Sequence, residues 1–244
     1  MSVKVLIACE ESQRVCTAFR EHGIEAYSCD IQECSGGHPE WHIMGDCLPL
    51  LNGRCEFYTM DGTRHYIGRR WDMIIAHPPC THIATSGARH FEKKRADGRQ
   101  REGIEFFCRF LIADCDLIVI ENPVGIISGD YVAIHFPDLA EKYGLPIKPS
   151  QIIQPYEHGD PFRKATCLWF VGKVKPLVPG NIVEPVLKEY ISKSGVKYVF
   201  SIDYGSGDSE SGKRRSKTYP GIAKAMAEQW TPILLNNTRK DGIE

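Results

Sequence analysis

Trp71-Asp72-Met73-Ile74-Ile75-Ala76-His77-Pro78-Pro79-Cys80 is the stretch on which the reading of this chain turns. Its apolar part is a short, nearly continuous run, as expected of a strand buried on both faces. The run stops at His77, and two prolines follow. Proline fixes its own φ and pushes its predecessor toward extended geometry, so the Cys80 thiol is held on a stiff turn where a buried strand opens into a loop. In open α/β sheets, ligands bind beyond the carboxyl ends of the strands. A second run, Cys115-Asp116-Leu117-Ile118-Val119-Ile120, ends in Glu121-Asn122-Pro123. A nucleophile and a carboxylate therefore stand at two comparable strand ends.

Outward from these runs, residues 3–9 predict a strand and residues 12–22 a helix. Ser12 is the expected cap of that helix, Val15, Cys16 and Phe19 its buried stripe, and Gly23 its stop. Residues 24–29 give a second strand ending at Asp30, and a glycine-containing loop leads to Gly45-Asp46. Residues 48–66 fit a short helix and then a hairpin about Asp61-Gly62. Ile104, Phe107, Phe110 and Leu111 give residues 103–113 helical spacing, and late strands at 151–154 and 166–171 flank Asp160-Pro161-Phe162-Arg163-Lys164. Strands alternating with helices predict an α/β fold with a doubly wound, mostly parallel sheet. From residue 173 the composition turns to proline, glycine and polar residues. Residues 1–172 thus read as the core, 173–217 as a small irregular, variable insertion ending in the basic tip Lys213-Arg214-Arg215-Ser216-Lys217, and 218–244 as a helical return to the core.

The bulk properties narrow the function classes. At 244 residues the chain is long enough for one large domain with a full core. Its net charge of −1 excludes a globally basic nucleic-acid binder, so any such contact must be local. No apolar run approaches a membrane span and no secretory signal opens the chain. Many of the ten cysteines fall inside expected strands and helices, which suits a reducing cytoplasm. Cys34, His38 and His42 have the spacing of one helix face, but Gly36, Gly37 and Pro39 oppose a helix there. With no paired CxxC spacing either, no metal is expected.

Pro78-Pro79-Cys80-Thr81 with Ser86-Gly87, followed on the next strand by Glu121-Asn122-Pro123, resembles the DNA cytosine carbon-5 methyltransferase family in its compact phage and prophage form. Asp30, Gly45-Asp46, Arg163 and Tyr219-Pro220-Gly221-Ile222-Ala223 resemble further motifs of that family, over roughly residues 3–172 and 216–232. The resemblance implies a Rossmann-like class I methyltransferase architecture, S-adenosylmethionine as cofactor, and DNA as partner, either a duplex with a flipped base or a single strand, in a bacterial or phage-infected cell. It implies Cys80 as the nucleophile at ring carbon 6, Glu121 as the partner of ring nitrogen 3, and Arg163 as a contact to the ring carbonyl oxygen. Asp30 is expected on the ribose hydroxyls, Asp46 on the adenine amino group, Glu10 on the methionine ammonium, with Ile31 and Pro78 beside the cofactor. Ser86, Lys164, Lys213, Arg214, Arg215 and Lys217 are the expected nucleic-acid contacts.

The chain departs from the family in two places. The first loop reads Cys9-Glu10-Glu11-Ser12-Gln13 where glycines are usual, and only residues 173–217 are available for target recognition. Two other readings stay open: methylation of an exocyclic amine, whose families follow the proline pair with an aromatic residue rather than Cys80, and a catalytically idle nucleic-acid-binding protein on the same fold. A cysteine hydrolase is disfavoured because no histidine is visibly placed as its base, although His77 and His82 flank Cys80.

Overall fold

The computed structural model describes residues 2–201 and 216–240. Alternation along β1 (Lys4–Ala8) sends Leu6 and Ala8 to one face of the sheet and Val5 and Ile7 to the other, all four fully buried. β2 (Glu25–Asp30) and β3 (His42–Met44) extend the sheet on one side of β1, each parallel to its neighbour. The chain then makes a small hairpin, β4 (Cys55–Tyr58) and β5 (Arg64–Ile67), and re-enters as β6 (Met73–Ala76) on the other side of β1. β7 (Ile118–Pro123) lies parallel to β6, and β9 (Thr166–Val171) and β8 (Gln151–Ile153) complete the edge. The order is β3-β2-β1-β6-β7-β9-β8, and β9 alone runs against the other six. This is the expected doubly wound, mostly parallel α/β sheet of Rossmann-like architecture. Because the winding reverses between β1 and β6, those two strand ends frame the crevice in which such sheets bind ligands.

Helices cover both faces. α2 (Phe91–Ala96), α3 (Arg99–Leu111), α4 (Tyr131–His135) and α5 (Pro137–Tyr143) pack on one face, with Phe107 and Phe110 of α3 fully buried there. α1 (Arg14–Glu21) and the C-terminal helix (Pro220–Lys240) pack together on the other, around Phe19, Met226 and Trp230. All seven strands of the sheet lie between residues 4 and 171. Among the described residues no helix is long and apolar enough to cross a membrane.

Several sequence expectations need correction. α1 begins at Arg14, not at 12, and Ser12 does not cap it; Gln13, with φ 57°, forms the turn into the helix. α3 begins four residues earlier than the apolar spacing indicated, because its first turn is polar and lacks the stripe that marks the rest. The insertion at 173–217 is not wholly irregular: β10 (Leu187–Ile191) and β11 (Lys197–Ser201) form an antiparallel hairpin with Tyr190 opposite Tyr198. The C-terminal helix runs ten residues beyond Trp230, through Pro232, which supplies no backbone donor.

Trp230 fastens this helix to the sheet: its side chain is fully buried and its indole N–H donates to the Lys175 carbonyl at 2.9 Å. Trp230→Ala is expected to cost about 3–5 kcal/mol in urea unfolding. A loss under about 1 kcal/mol would show that the helix lies outside the cooperative core.

Candidate active site

The parallel register of β6 and β7 builds the centre of the site. Ile74 pairs with Ile118, Ile75 with Val119 and Ala76 with Ile120, so the next residues, His77 and Glu121, emerge side by side. His77 Nδ1 lies 2.8 Å from Glu121 Oε2, and the two side chains are only 8% and 12% exposed. The backbone N–H of His77 donates to the Ala8 carbonyl, which locks this strand end to β1. Asn122, itself buried, donates from Nδ2 to the Pro78 carbonyl at 2.7 Å and ties the proline pair to β7.

The loops beyond these strands are joined as well. The Cys80 carbonyl accepts from the backbone N–H groups of Ile83 and Ala84, closing a tight turn that starts at Cys80. Thr85 N–H then donates to the Val124 carbonyl and Ile126 N–H to the Ile83 carbonyl. Gly125 is required here, because a Cβ at that position would lie 2.4 Å from the Ile83 carbonyl oxygen. The cysteine loop and the glutamate loop therefore behave as one wall.

That wall borders a cleft of about 430 Å³ lined by His77, Cys80, Ser86, Glu121, Asn122 and Lys164, among others. The structure thus brings together Cys80, Glu121, Ser86 and Lys164 of the expected residues. It does not bring Arg163, which is exposed and absent from the cleft lining; adjacent side chains on an extended segment point opposite ways, and Lys164 is the one turned inward. Lys164 also sits close enough to Glu121 and His77 to act on both electrostatically.

A second cavity, about 270 Å³, lies at the ends of β1, β2 and β3. Asp30, Ile31, Asp46, Phe106, Cys9 and Pro79 help to line it. Asp30 accepts from the Gln32 N–H and Asp46 from the Leu48 N–H, each at 3.0 Å through Oδ1, while Ile31 is 76% exposed. Two carboxylates beside an exposed branched side chain and an aromatic ring suit the hydroxyls, amino group and ring face of a nucleoside. Cys9 and Cys47 face each other in the wall with their sulfurs 3.8 Å apart, and that contact, together with burial, pushes the Cys9 thiol pKa upward. Pro79 lines both cavities, whereas Pro78, expected beside the cofactor, lines only the Cys80 cleft.

Glu10 lies elsewhere than expected. Its carboxylate accepts from the backbone N–H of Val15 at 2.6 Å and of Cys16 at 3.2 Å, so it caps α1 from below and is absent from the lining of the second cavity. Burial pushes its pKa up to about 7 against the pull of His77 and those two amides. The first loop manages without glycine by placing Cys9 and Gln13 at φ 59° and 57°. The buried Gln13 side chain repays part of that strain by bonding both the N–H and the carbonyl of His38. Gly36 packs so closely on Ser12 and Gln13 that a Cβ there would lie 2.6 Å from the Gln13 Cβ.

Of the basic tip, Lys213, Arg214 and Arg215 lie outside the described residues. Lys217 donates from Nζ to Ser35 Oγ at 2.7 Å and lies 3.5 Å from Glu11. His38 pairs with Glu40 and stacks on Trp41, and the buried His42 bonds Ser28 and the Gln32 carbonyl. Among the described residues no three metal-ligating side chains converge. Sequence reasoning missed His77 as the partner of Glu121, although laying Ile75-Ala76-His77 against Val119-Ile120-Glu121 puts the two in register. It gave no signal for Phe106, whose helix reaches the second cavity only through tertiary packing.

No protein-family model matches the chain, and no curated protein matches it. Among solved structures it is similar to a crystal structure of a protein encoded within an E. coli prophage and described, provisionally, as a DNA modification methyltransferase. The two are 13% identical, with a TM-score of 0.46 over 75% of this chain and 52% of that one. This chain therefore matches about half the length of that structure.

The position of Glu10 has a measurable consequence. Its folded pKa, about 7, lies above the ordinary 4.5, so between these values the folded state holds more protons than the unfolded state. The carboxyl's contribution to stability is therefore present at low pH and lost as pH rises through that window, by roughly 3 kcal/mol in all. Against wild type, Glu10→Gln should gain about that much stability between pH 4.5 and 8 in denaturant titrations. A difference that is flat with pH would show that Glu10 ionises normally in the fold.

Proposed function

We propose that this protein transfers a methyl group from S-adenosylmethionine to carbon 5 of cytosine in DNA. One observation carries the reading: a cysteine and a buried carboxyl share one cleft, and a single proline separates that cleft from a cavity bearing two carboxylates. The second cavity fits the nucleoside part of the cofactor, with Asp30 toward the ribose hydroxyls, Asp46 toward the adenine amino group, and Ile31 and Phe106 on the ring faces. The cofactor supplies an electrophilic methyl group on a sulfonium.

Carbon 5 of cytosine is a weak nucleophile until the ring is activated. Cys80 Sγ adds to carbon 6, and the displaced π electrons raise the electron density at carbon 5 and along the ring to nitrogen 3. Glu121 protonates nitrogen 3 and removes the charge that would otherwise build up there. Lys164 takes the electrostatic role expected of Arg163, facing the ring carbonyl oxygen with a fixed positive charge. After carbon 5 takes the methyl group, its hydrogen leaves as a proton and the Cys80 thiolate departs, restoring the aromatic ring. A base stacked in a duplex cannot reach Cys80, so the substrate is flipped out or single-stranded. Arg163 and the basic stretch 213–217 serve the phosphate backbone.

Calorimetric titration with S-adenosylmethionine should show saturable binding that weakens at least about tenfold in Asp30→Ala. Transfer of a labelled methyl group to DNA should fall about a thousandfold or more in Cys80→Ala and Cys80→Ser. Transfer surviving in both cysteine variants would overturn the covalent mechanism and direct attention to exocyclic amines. Salt-sensitive DNA binding without any cofactor binding would mark a catalytically idle nucleic-acid-binding protein.

A further inference from the structure

We propose that His77 is the positioning residue that sets the proton on Glu121, so that the carboxyl meets the cytosine ring as an acid. The proposal rests on the reading in which Glu121 faces ring nitrogen 3. The geometry is that of a closed pair: His77 Nδ1 donates to Glu121 Oε2 at 2.8 Å, inside a wall where neither side chain is more than 12% exposed. That bond places the exchangeable proton between Nδ1 and Oε2, the oxygen from which it must later leave. The groups facing the pair are Glu10 from the loop after β1, Lys164 from the segment before β9, Cys167 on β9, and the Thr218 hydroxyl, 3.5 Å from Nδ1.

The charges of these groups make the pair hold one proton tightly. Burial alone would lower the His77 pKa, but its bond to Glu121 and the charges of Glu121 and Glu10 outweigh burial and raise it. Burial would raise Glu121, but the bond and charge of His77, with Lys164, hold it below the ordinary carboxylate range. In the open cleft the pair therefore rests as imidazolium and carboxylate. His77 Nε2 is buried and has no hydrogen-bond partner, so the imidazolium leaves one N–H unanswered. A base that enters and displaces water removes the solvation on which this charged form depends, and the proton becomes transferable. As the bond from Cys80 Sγ to carbon 6 forms, Nδ1 gives its proton to Oε2, the carboxyl turns about its Cγ–Cδ bond to present that O–H to the cleft, and the proton ends on ring nitrogen 3. His77 is left as neutral imidazole and Glu121 as carboxylate, and the proton returns to the pair when the thiolate leaves. Two interacting sites titrate as a unit, so the pH profile belongs to the pair rather than to either residue.

The test is the pH dependence of Cys80 addition. Once Sγ has added, carbon 5 exchanges its hydrogen with water, so DNA with cytosine tritiated at carbon 5 releases tritium without any cofactor. In wild type the alkaline limb of that release should lie above the ordinary imidazole value of 6.5. His77→Asn keeps a donor toward Glu121 but cannot titrate. It should move the limb down by about one pH unit or more, costing about tenfold or more at pH 8 and less than about threefold at pH 6. A uniform loss at every pH, or an unchanged profile, would overturn the proposal and leave His77 a structural residue. If His77→Asn fails to fold, the wild-type His77 imidazole is titrated by NMR instead. Its midpoint should fall in Glu121→Gln, and an unmoved midpoint overturns the proposal. Wild type that neither releases tritium nor methylates cytosine refutes the carbon-5 reading and this inference with it. An active wild type, a dead Glu121→Gln and an unshifted His77→Asn refute only the inference.

Discussion

Ala76 opposite Ile120 is the pairing on which the chemistry of this molecule depends. Where β6 ends and β7 runs on to Pro123, the next residues of the two strands stand side by side, and here those residues are an imidazole and a carboxyl. A shift of register by one residue would turn Glu121 to the opposite face of the sheet, away from His77. The register is held from both directions. Below, fully buried Ile74, Ile75, Ile118 and Val119 leave no room for slippage. Above, the Asn122 bond to the Pro78 carbonyl and the contact of Gly125 with Ile83 bind the loops into one piece. The stiffness expected of a double proline is thus only part of what holds Cys80; a neighbouring strand supplies the rest.

The sheet also explains how three buried titratable groups and a lysine at the cleft coexist. Glu10, His77, Glu121 and Lys164 come from four separate places along the chain, and His77 is the group whose charge offsets both carboxylates. A buried carboxylate is answered by helix amides in one case and by an imidazole in the other. Burial raises both carboxyls and both answers lower them; the amides and His77 leave Glu10 raised, whereas the imidazole bond with Lys164 carries Glu121 below the ordinary range.

Much of the sheet was legible in the sequence because buried parallel strands write themselves as short apolar runs. The runs at 71–76 and 117–120 located the two strand ends, and the turn residues after them located Cys80 and Glu121. What could not be read were the features decided across the sheet. Arg163 and Lys164 are equivalent as letters, and only the direction of an extended segment makes Lys164 the inward one. Ser12 looks like a cap, yet Glu10 reaches the amides of α1 because Gln13 adopts a left-handed turn that residue preferences disfavour. Helices α2, α4 and α5 were invisible as separate elements, being too short for their spacing to stand out. In the hairpin, Lys188 to Ile191 and Lys197 to Val199 are exposed at successive positions and therefore lack the alternation that announces a half-buried strand.

Pro79 belongs to both cavities, and a wall shared by two compartments is a coordinate common to two equilibria. A ring that moves to accommodate one occupant alters the room left for the other. Linkage requires that whatever this does to the second affinity, it does in equal measure to the first. Proline is a telling choice for such a partition: it has few conformations to lose, so it transmits displacement rather than absorbing it. For occupants that both press on this ring, the two chambers are joined in thermodynamic terms before any larger motion of the chain is invoked.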